Sequence, residues 1–316
     1  MSIATVTPGD ARPAFDEDES RPPTLRARLW ARPGGRVALL VVALFILVAV
    51  LAPVLAALEG QDPNTYHDAL LNSATGGGPN APFGGISGAH WLGVEPTTGR
   101  DVFARLVFGS RISLLVAAGA TFGQLLIGLL VGLTAGLGNR WVDGLLGRFT
   151  DLALSFPYLF FCIALLAVVP QGFPRPLLLC IILAGFGWAS TARIVRAETF
   201  VLREREFVAA ARLYGASPWR IARKEILPGL AAPVATYTAL AIPANMVAEA
   251  GLSFLGLGVQ PPTPSWGQML STATTWFQVD PMYVLVPALT LLVCVLAFTA
   301  LGEEVRRAVD PKGLGR

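Results

Sequence analysis

Residues Ile112–Asn139 read ISLLVAAGATFGQLLIGLLVGLTAGLGN, a run of 28 positions without a charged side chain. A bilayer core about 30 Å thick is crossed by roughly 20 apolar helical residues at about 1.5 Å each, so this stretch is long enough to span a membrane. It also carries Gly119 and Gly123, then Gly128, Gly132 and Gly136, at spacings of four within each group. Glycine at every fourth position clears one face of a helix and lets a neighbouring backbone come close. Tight helix packing inside a bilayer is therefore expected here.

The rest of the chain agrees with that reading. Of 316 residues, 53% are hydrophobic and 14% charged, against about 25% charged in soluble domains. A single soluble core and a disordered chain are both excluded. The net charge of +3 gives no nucleic-acid footprint. Cys162, Cys180 and Cys294 sit in apolar runs without metal-ligand spacing, so neither a metal site nor a disulfide framework is expected.

Further apolar windows are Val37–Ala57, Leu152–Pro174, Pro176–Ala192, Ile226–Ala248 and Pro281–Gly302. The predicted fold class is an all-α membrane protein with six transmembrane helices. The first window exceeds the roughly 7–15 residues of a signal-peptide core and starts after Arg36, so it is expected to stay as an uncleaved helix. With the N-terminus inside, 20 basic residues fall on the inner side and Arg100, Arg105, Arg111 and Arg175 on the outer. Both termini are therefore predicted to be cytoplasmic.

The expected organisation is a tail over 1–35, a first span over 36–58, an external loop and interfacial helix over 59–111, a core of five spans over 112–304, and a tail over 305–316. The 1–24 stretch, with acidic Asp16–Glu19, is read as a disordered tail, and 59–99 as a Gly- and Pro-rich loop without a strand or helix pattern. Asp101–Ser113 reads as a short amphipathic helix at the outer interface, turning into the second span. Pro53, Pro157, Pro170, Pro233, Pro243 and Pro287 lie in or beside spans and permit kinks.

Ion-coupled carriers place carboxylates, His or Lys near the midplane. The six windows hold none; Glu249 sits at a span edge, and His67 and His90 lie in the external loop. No Ser/His or paired-carboxylate set is available in the spans, so no catalytic residue is assigned.

The connection Arg193–Pro228 has a helical grammar of its own. Phe207, Ala210, Ala211 and Tyr214 recur at helical spacing, and Gly215 follows as a left-handed stop. Ser217 and Pro218 read as an N-cap and first residue of a second helix, with Leu227–Pro228 closing the unit. The product is a helix–turn–helix elbow over 201–228. Its small-residue face, Ala209–Ala211, suits insertion into another protein's groove.

Here the residues carry a resemblance. Gly215 with the preceding alanines and the later Leu227–Pro228 resembles the EAA loop of binding-protein-dependent ABC importer permeases. His90-Trp91-Leu92-Gly93 with Gly99-Arg100-Asp101-Val102 is similar to the segment before the second span of dipeptide, oligopeptide and nickel permeases. Arg148–Asp151 with Phe156–Pro157 is similar to the start of their third span, and Ala248–Gly267 resembles the C-type permease of that group. The likeness covers roughly 88–312. Two positions depart from the pattern: the glutamate that names the motif falls on Ala209, with Glu206 a nearby substitute, and its usual isoleucine falls on Glu225.

The resemblance implies a type I ABC importer permease fold and transport by alternating access in a bacterial plasma (inner) membrane. It makes the elbow the ATPase-coupling site, through Glu204, Glu206, Ala209, Ala210, Ala211, Arg212, Gly215, Ala216, Ser217, Leu227 and Pro228. Glu249, Ser253 and Trp266 are candidates for the gate or substrate path; the alternative for Glu249 is a helix-end carboxylate paired with Arg100 or Arg105. The implied partners are a second homologous permease, two ABC ATPase subunits, an external solute-binding protein and membrane lipid, with no nucleic acid. No Gly-x-x-x-x-Gly-Lys-Ser/Thr sequence is present, so no cofactor is expected in this chain, and ATP and Mg fall to the partner ATPases. The implied solutes are di- or oligopeptides, with nickel chelates or other solutes of the same group as alternatives. The rival reading is a stand-alone carrier or channel.

The basic-residue asymmetry is checked by cysteine labelling of sealed cells. An impermeant thiol reagent should reach Asn80→Cys and Thr274→Cys but not Arg205→Cys or Lys312→Cys; labelling of Arg205→Cys would overturn the topology.

Overall fold

The computed structural model describes residues 30, 32–170 and 172–309. The expected 1–24 tail and the residues after Val309 lie outside that range. Among the described residues, five helices are long and apolar enough to cross a membrane, and six spans result if one bent pair counts as a single crossing. The elements are α1 (Pro33–Glu59), α2 (Val102–Leu137), α3 (Arg140–Ser155), α4 (Tyr158–Val168), α5 (Arg175–Arg203), α6 (Glu206–Leu213), α7 (Pro218–Phe254), α8 (Trp266–Ala273) and α9 (Pro281–Val309). The ends of the bundle are called here the elbow end, where α6 lies, and the cap end, where residues 60–101 lie.

Local signals set most boundaries. Pro33 opens α1, and Gly60, in the left-handed region, closes it by donating its N–H to Ala56 and Ala57 carbonyls. Asp101 caps α2, its Oδ1 accepting from Ala104 N at 2.7 Å, and Asn139 caps α3 by accepting from Trp141 and Val142 N–H. Ser265 caps α8 in the same way.

The glycines of α2 decide how the bundle packs. Its most extensive helix partner is α5. A Cβ at Gly119 would stand 2.9 Å from Cys180 Sγ, at Gly123 2.5 Å from Ala184 Cβ, and at Gly128 2.5 Å from Thr191 Cβ. At Gly132 it would be 2.6 Å from Val195 Cβ, and at Gly136 2.6 Å from Thr199 Cβ. The two helices thus interlock along nearly all of α5. Around this pair, α7 packs on α2, α5 and α9, and α1 on α2 and α9. The faces of α1 left outside show Leu40, Leu44, Leu47 and Leu51, as a lipid-facing helix should.

Several sequence expectations need correction. The separate interfacial helix over Asp101–Ser113 does not exist; α2 runs unbroken from Val102 to Leu137. The charge of Arg105 does not force a turn because the residue is wholly buried among polar partners, described below. The third span begins earlier, at Arg140, and is broken: α3 and α4 meet at 78°. Phe156 is extended, as a residue before proline tends to be, so the helix stops there. The basic stretch Arg193–Arg203 is not loop but the last turns of α5.

Leu227–Pro228 does not close the elbow either. Helix continues from Pro218 to Phe254, with Ala222–Ile226 widened into a π-turn just before Pro228. The wider turn absorbs the proline, which lacks an N–H and crowds the preceding turn. The 59–99 segment also has order: β1 (Leu71–Asn72) pairs antiparallel with β2 (Gly78–Pro79), flanked by short 3-10 turns.

The interlock is tested by Gly132→Ala. The added methyl meets Val195 and the Ala192 carbonyl at 2.6–2.7 Å, and an overpacked site costs about 1–3 kcal/mol. Gly144→Ala, where nothing lies within 4 Å, should be neutral or stabilising by up to ~1 kcal/mol. Thermal unfolding in detergent should separate the two; equal melting temperatures would remove the packing role.

Candidate functional site

Three polar or exposed regions stand out from the apolar bundle. At the elbow end, α6 stops in a left-handed turn: Gly215 has φ +76°, and Ala216 N donates to Ala211 O at 3.0 Å. Ser217 Oγ accepts from Arg220 N at 3.4 Å and opens α7, with Pro218 at its first position. Val208, Ile221, Ile226 and Leu230 pack against Val195 and Leu202 and seat the elbow on the bundle. Of the apolar stripe read from the sequence, Ala211 packs on this cluster, while Phe207, Ala210 and Tyr214 face outward. Leu213, Tyr214 and Trp219 are 89%, 92% and 74% exposed, and Phe207, Ala209 and Ala210 are exposed beside them. Glu204 pairs with Arg203, whose Nη1 also donates to Gly136 O at 2.9 Å. Below the elbow, Arg196 grips Asp143 in a fork, at 2.5 and 2.9 Å, and Arg193 reaches Asp151 at 2.8 Å. These pairs strap α3 to the stalk of α5.

At the cap end, Glu249 is fully buried on α7. Ser113 Oγ donates to its Oε2 at 2.9 Å and Ser253 Oγ to its Oε1 at 2.8 Å. Ser113 Oγ accepts in turn from Trp266 N, and Ser253 Oγ from Val259 N. Glu249, Ser253 and Trp266 are therefore brought together, as a clasp joining α2, α7 and α8. Glu249 does not pair with Arg100 or Arg105. Those arginines turn to Glu95, which the sequence reading missed: Arg100 Nε donates to Glu95 Oε2 at 2.6 Å, and Arg105 Nε stands 3.6 Å from it. Tyr283 OH donates to Glu95 Oε1. Arg105 also donates to Pro63 O, Pro262 O and Gln268 Oε1. Burial would push the Glu95 carboxyl up, but Arg105, Tyr283 and Arg100 outweigh it and hold it below the usual carboxylate range. This network ties the cap to α2, α8 and α9.

Between the ends, a cavity of about 470 Å³ opens among α2, α3, α4, α5 and α7. Gln124 and Asn245 on its wall form a reciprocal amide pair. Gln124 Nε2 donates to Asn245 Oδ1 at 2.9 Å, and Asn245 Nδ2 to Gln124 Oε1 at 3.0 Å. Nothing in the sequence reading singled them out, although two amides inside otherwise apolar windows were the available signal. Among the described residues, no group of three or more His, Cys, Asp or Glu is placed to hold a metal ion.

Residues 128–312 match the family described as the binding-protein-dependent transport system inner membrane component. The chain belongs to that family. It is 36% identical over 276 residues to the dipeptide transport system permease protein DppC of Alkalihalophilus pseudofirmus, covering 87% of this chain and 85% of that one. It is 37% identical over 228 residues to the glutathione transport system permease protein GsiD of Pectobacterium atrosepticum, covering 72% and 74%. Among solved structures, an inward-facing form of the MetNI methionine ABC transporter matches with TM-score 0.51 and 18% identity, over 65% of this chain and 96% of that one. That likeness supports the fold. As an inner membrane component of this family, the chain is a permease subunit of an ABC importer, and the family works with ATPase subunits and a binding protein. The stand-alone carrier is set aside.

The Glu95 network predicts a cost and a pH dependence. Glu95→Gln leaves two buried guanidinium groups short of a counter-charge, and breaking a buried pair costs about 3–5 kcal/mol. The carboxyl is lowered in the folded state, so its contribution is full above the unfolded value, near pH 4.5, and is lost as pH falls through the folded value. Unfolding of detergent-purified protein between pH 7 and pH 3 should show the wild type losing stability and the variant losing less. Parallel losses in both would refute the assignment.

Proposed function

We propose that this permease subunit pairs with a second homologous permease in a bacterial plasma membrane. Two ABC ATPases then dock on the elbow, and an external binding protein delivers the solute to the cap end. Both termini and the elbow face the cytoplasm in this reading, as the basic-residue asymmetry requires. ATP and Mg belong to the ATPases, and this chain does no chemistry of its own. The solute class is a di- or oligopeptide, supported by the relatives that are named as dipeptide and glutathione permeases; nickel chelates or related solutes are the alternative.

One observation carries the coupling role: the elbow presents Leu213, Tyr214 and Trp219 almost fully to the surroundings on a turn fixed by Gly215. Large apolar side chains clustered on an exposed tip mark a protein–protein contact. The same segment exposes Arg205, Arg212, Arg220 and Arg223, charges that disfavour burial of the tip in lipid. Closure of the ATPases would push on the elbow, and the Arg196–Asp143 and Arg193–Asp151 straps would carry that push from α5 to α3, on the cavity wall.

Gly215→Val tests the coupling. No atom lies within 4 Å of the added Cβ, so the change acts through the left-handed backbone alone, at about 1–2 kcal/mol for any Cβ and more for a branched one. Membrane abundance should stay normal, while ATPase co-purification and solute uptake fall severalfold. Gly215→Asn, which tolerates this conformation, should keep most of both. Wild-type transport by Gly215→Val with ATPases bound would show that the elbow does not couple.

A further inference from the structure

The cavity wall holds an arrangement that helix packing alone does not require. Each of the two amides makes one bond to its own surroundings and one across the pair. Gln124 Nε2 is anchored on Leu183 O at 3.0 Å, and Asn245 Nδ2 on Thr121 Oγ1 at 2.8 Å. Opening the pair would leave both side chains aimed, because the anchoring bonds remain. Room for Gln124 exists because residue 187 is glycine; a Cβ there would stand 2.7 Å from Gln124 Cδ. Both amides are more than nine-tenths buried, yet both border the cavity, together with Ser190, Tyr237 and Phe156. Among the described residues, no charged side chain lines it. Its volume falls within the roughly 300–1,000 Å³ of small-ligand sites.

We infer that this cavity is a solute site that reads the peptide bond itself, by exchange with the Gln124–Asn245 amide pair. The inference rests on the peptide class proposed above and specifies where and how that class is recognised. A peptide bond offers one N–H donor and one carbonyl acceptor, the two kinds of group that the amides present to each other. When it enters, both bonds across the pair open, the ligand carbonyl accepts from Gln124 Nε2, and the ligand N–H donates to Asn245 Oδ1. Two bonds are lost and two form, and Gln124 Oε1 and the second Asn245 Nδ2 hydrogen turn to the cavity, where water or a neighbouring peptide group of the ligand meets them. A ligand without an N–H leaves Asn245 Oδ1 unpaired in a buried site, which is penalised. The uncharged wall pairs with neither terminus nor charged side chains, so the site is indifferent to peptide sequence while strict for the backbone.

The test uses the assembled importer, purified from membranes in detergent without its binding protein, whose own selectivity would otherwise intrude. Ser190→Cys places a thiol on the exposed part of the wall, and the wild-type complex controls for Cys162, Cys180 and Cys294. Alkylation by a small thiol reagent is followed with trialanine or with its depsipeptide analogue, in which ester oxygens replace both peptide N–H groups. Trialanine should protect the Ser190→Cys thiol at a concentration about tenfold lower than the analogue, as one lost buried hydrogen bond implies. Equal protection by both overturns peptide-bond recognition, and protection by neither overturns the site. Uptake of trialanine by the complete wild-type importer in proteoliposomes is measured alongside. Uptake without protection overturns this inference alone, whereas absence of uptake overturns the peptide reading beneath it and this inference with it.

Discussion

The α2–α5 interface depends on there being nothing at five positions. In a bilayer, apolar surfaces gain little by leaving lipid for each other, so helices associate through close packing and a few polar bonds. The glycines of α2 supply the first: the side chains of Cys180, Ala184, Thr191, Val195 and Thr199 occupy the space a Cβ would take. That contact fixes the register of α5 against α2. Register in turn sets Gln124 beside Leu183, places Arg196 opposite Asp143, and puts Arg203 at the end of α2. A slip of one turn would undo all three.

Polar groups are distributed unequally on this frame. At the cap end two buried carboxylates are held by partners from other elements: Glu249 by two serines, and Glu95 by Arg100, Arg105 and Tyr283. Such networks are costly to break. At the elbow end the ion pairs are partly exposed, and an exposed pair contributes only about 0–1 kcal/mol. The cap end is therefore built to stay together, while the elbow end can rearrange at little cost.

Local features were legible in the sequence because their causes are local. Gly215 before Ser217–Pro218 spells a stop and a start within three residues, and the glycine spacing of α2 spells a packing face. What could not be read depends on residues far apart. Arg105 looked like a charge that must face water, but partners distant in the chain, Gln268 and Pro262 more than 150 positions away among them, allow it to sit inside a continuous helix. Gln124 and Asn245, 121 residues apart, gave no sign of meeting. Pro228 looked like a terminator because the π-turn that accommodates it has no sequence signature. The expected pairing of Glu249 with an outer arginine failed because Glu95 holds both.

The 78° break between α3 and α4 bears on how the subunit must sit among its neighbours. Where a helix stops within the hydrocarbon layer, its last carbonyls lose their partners in the helix. Oil cannot solvate them; water or another polypeptide must. The corner at Phe156–Pro157 is therefore a place that acyl chains cannot wet, whereas the leucine-studded flank of α1 is one that they can. The molecule thus has one flank that lipid can cover and one corner that it cannot, and at that corner water or another polypeptide must take the place of acyl chains.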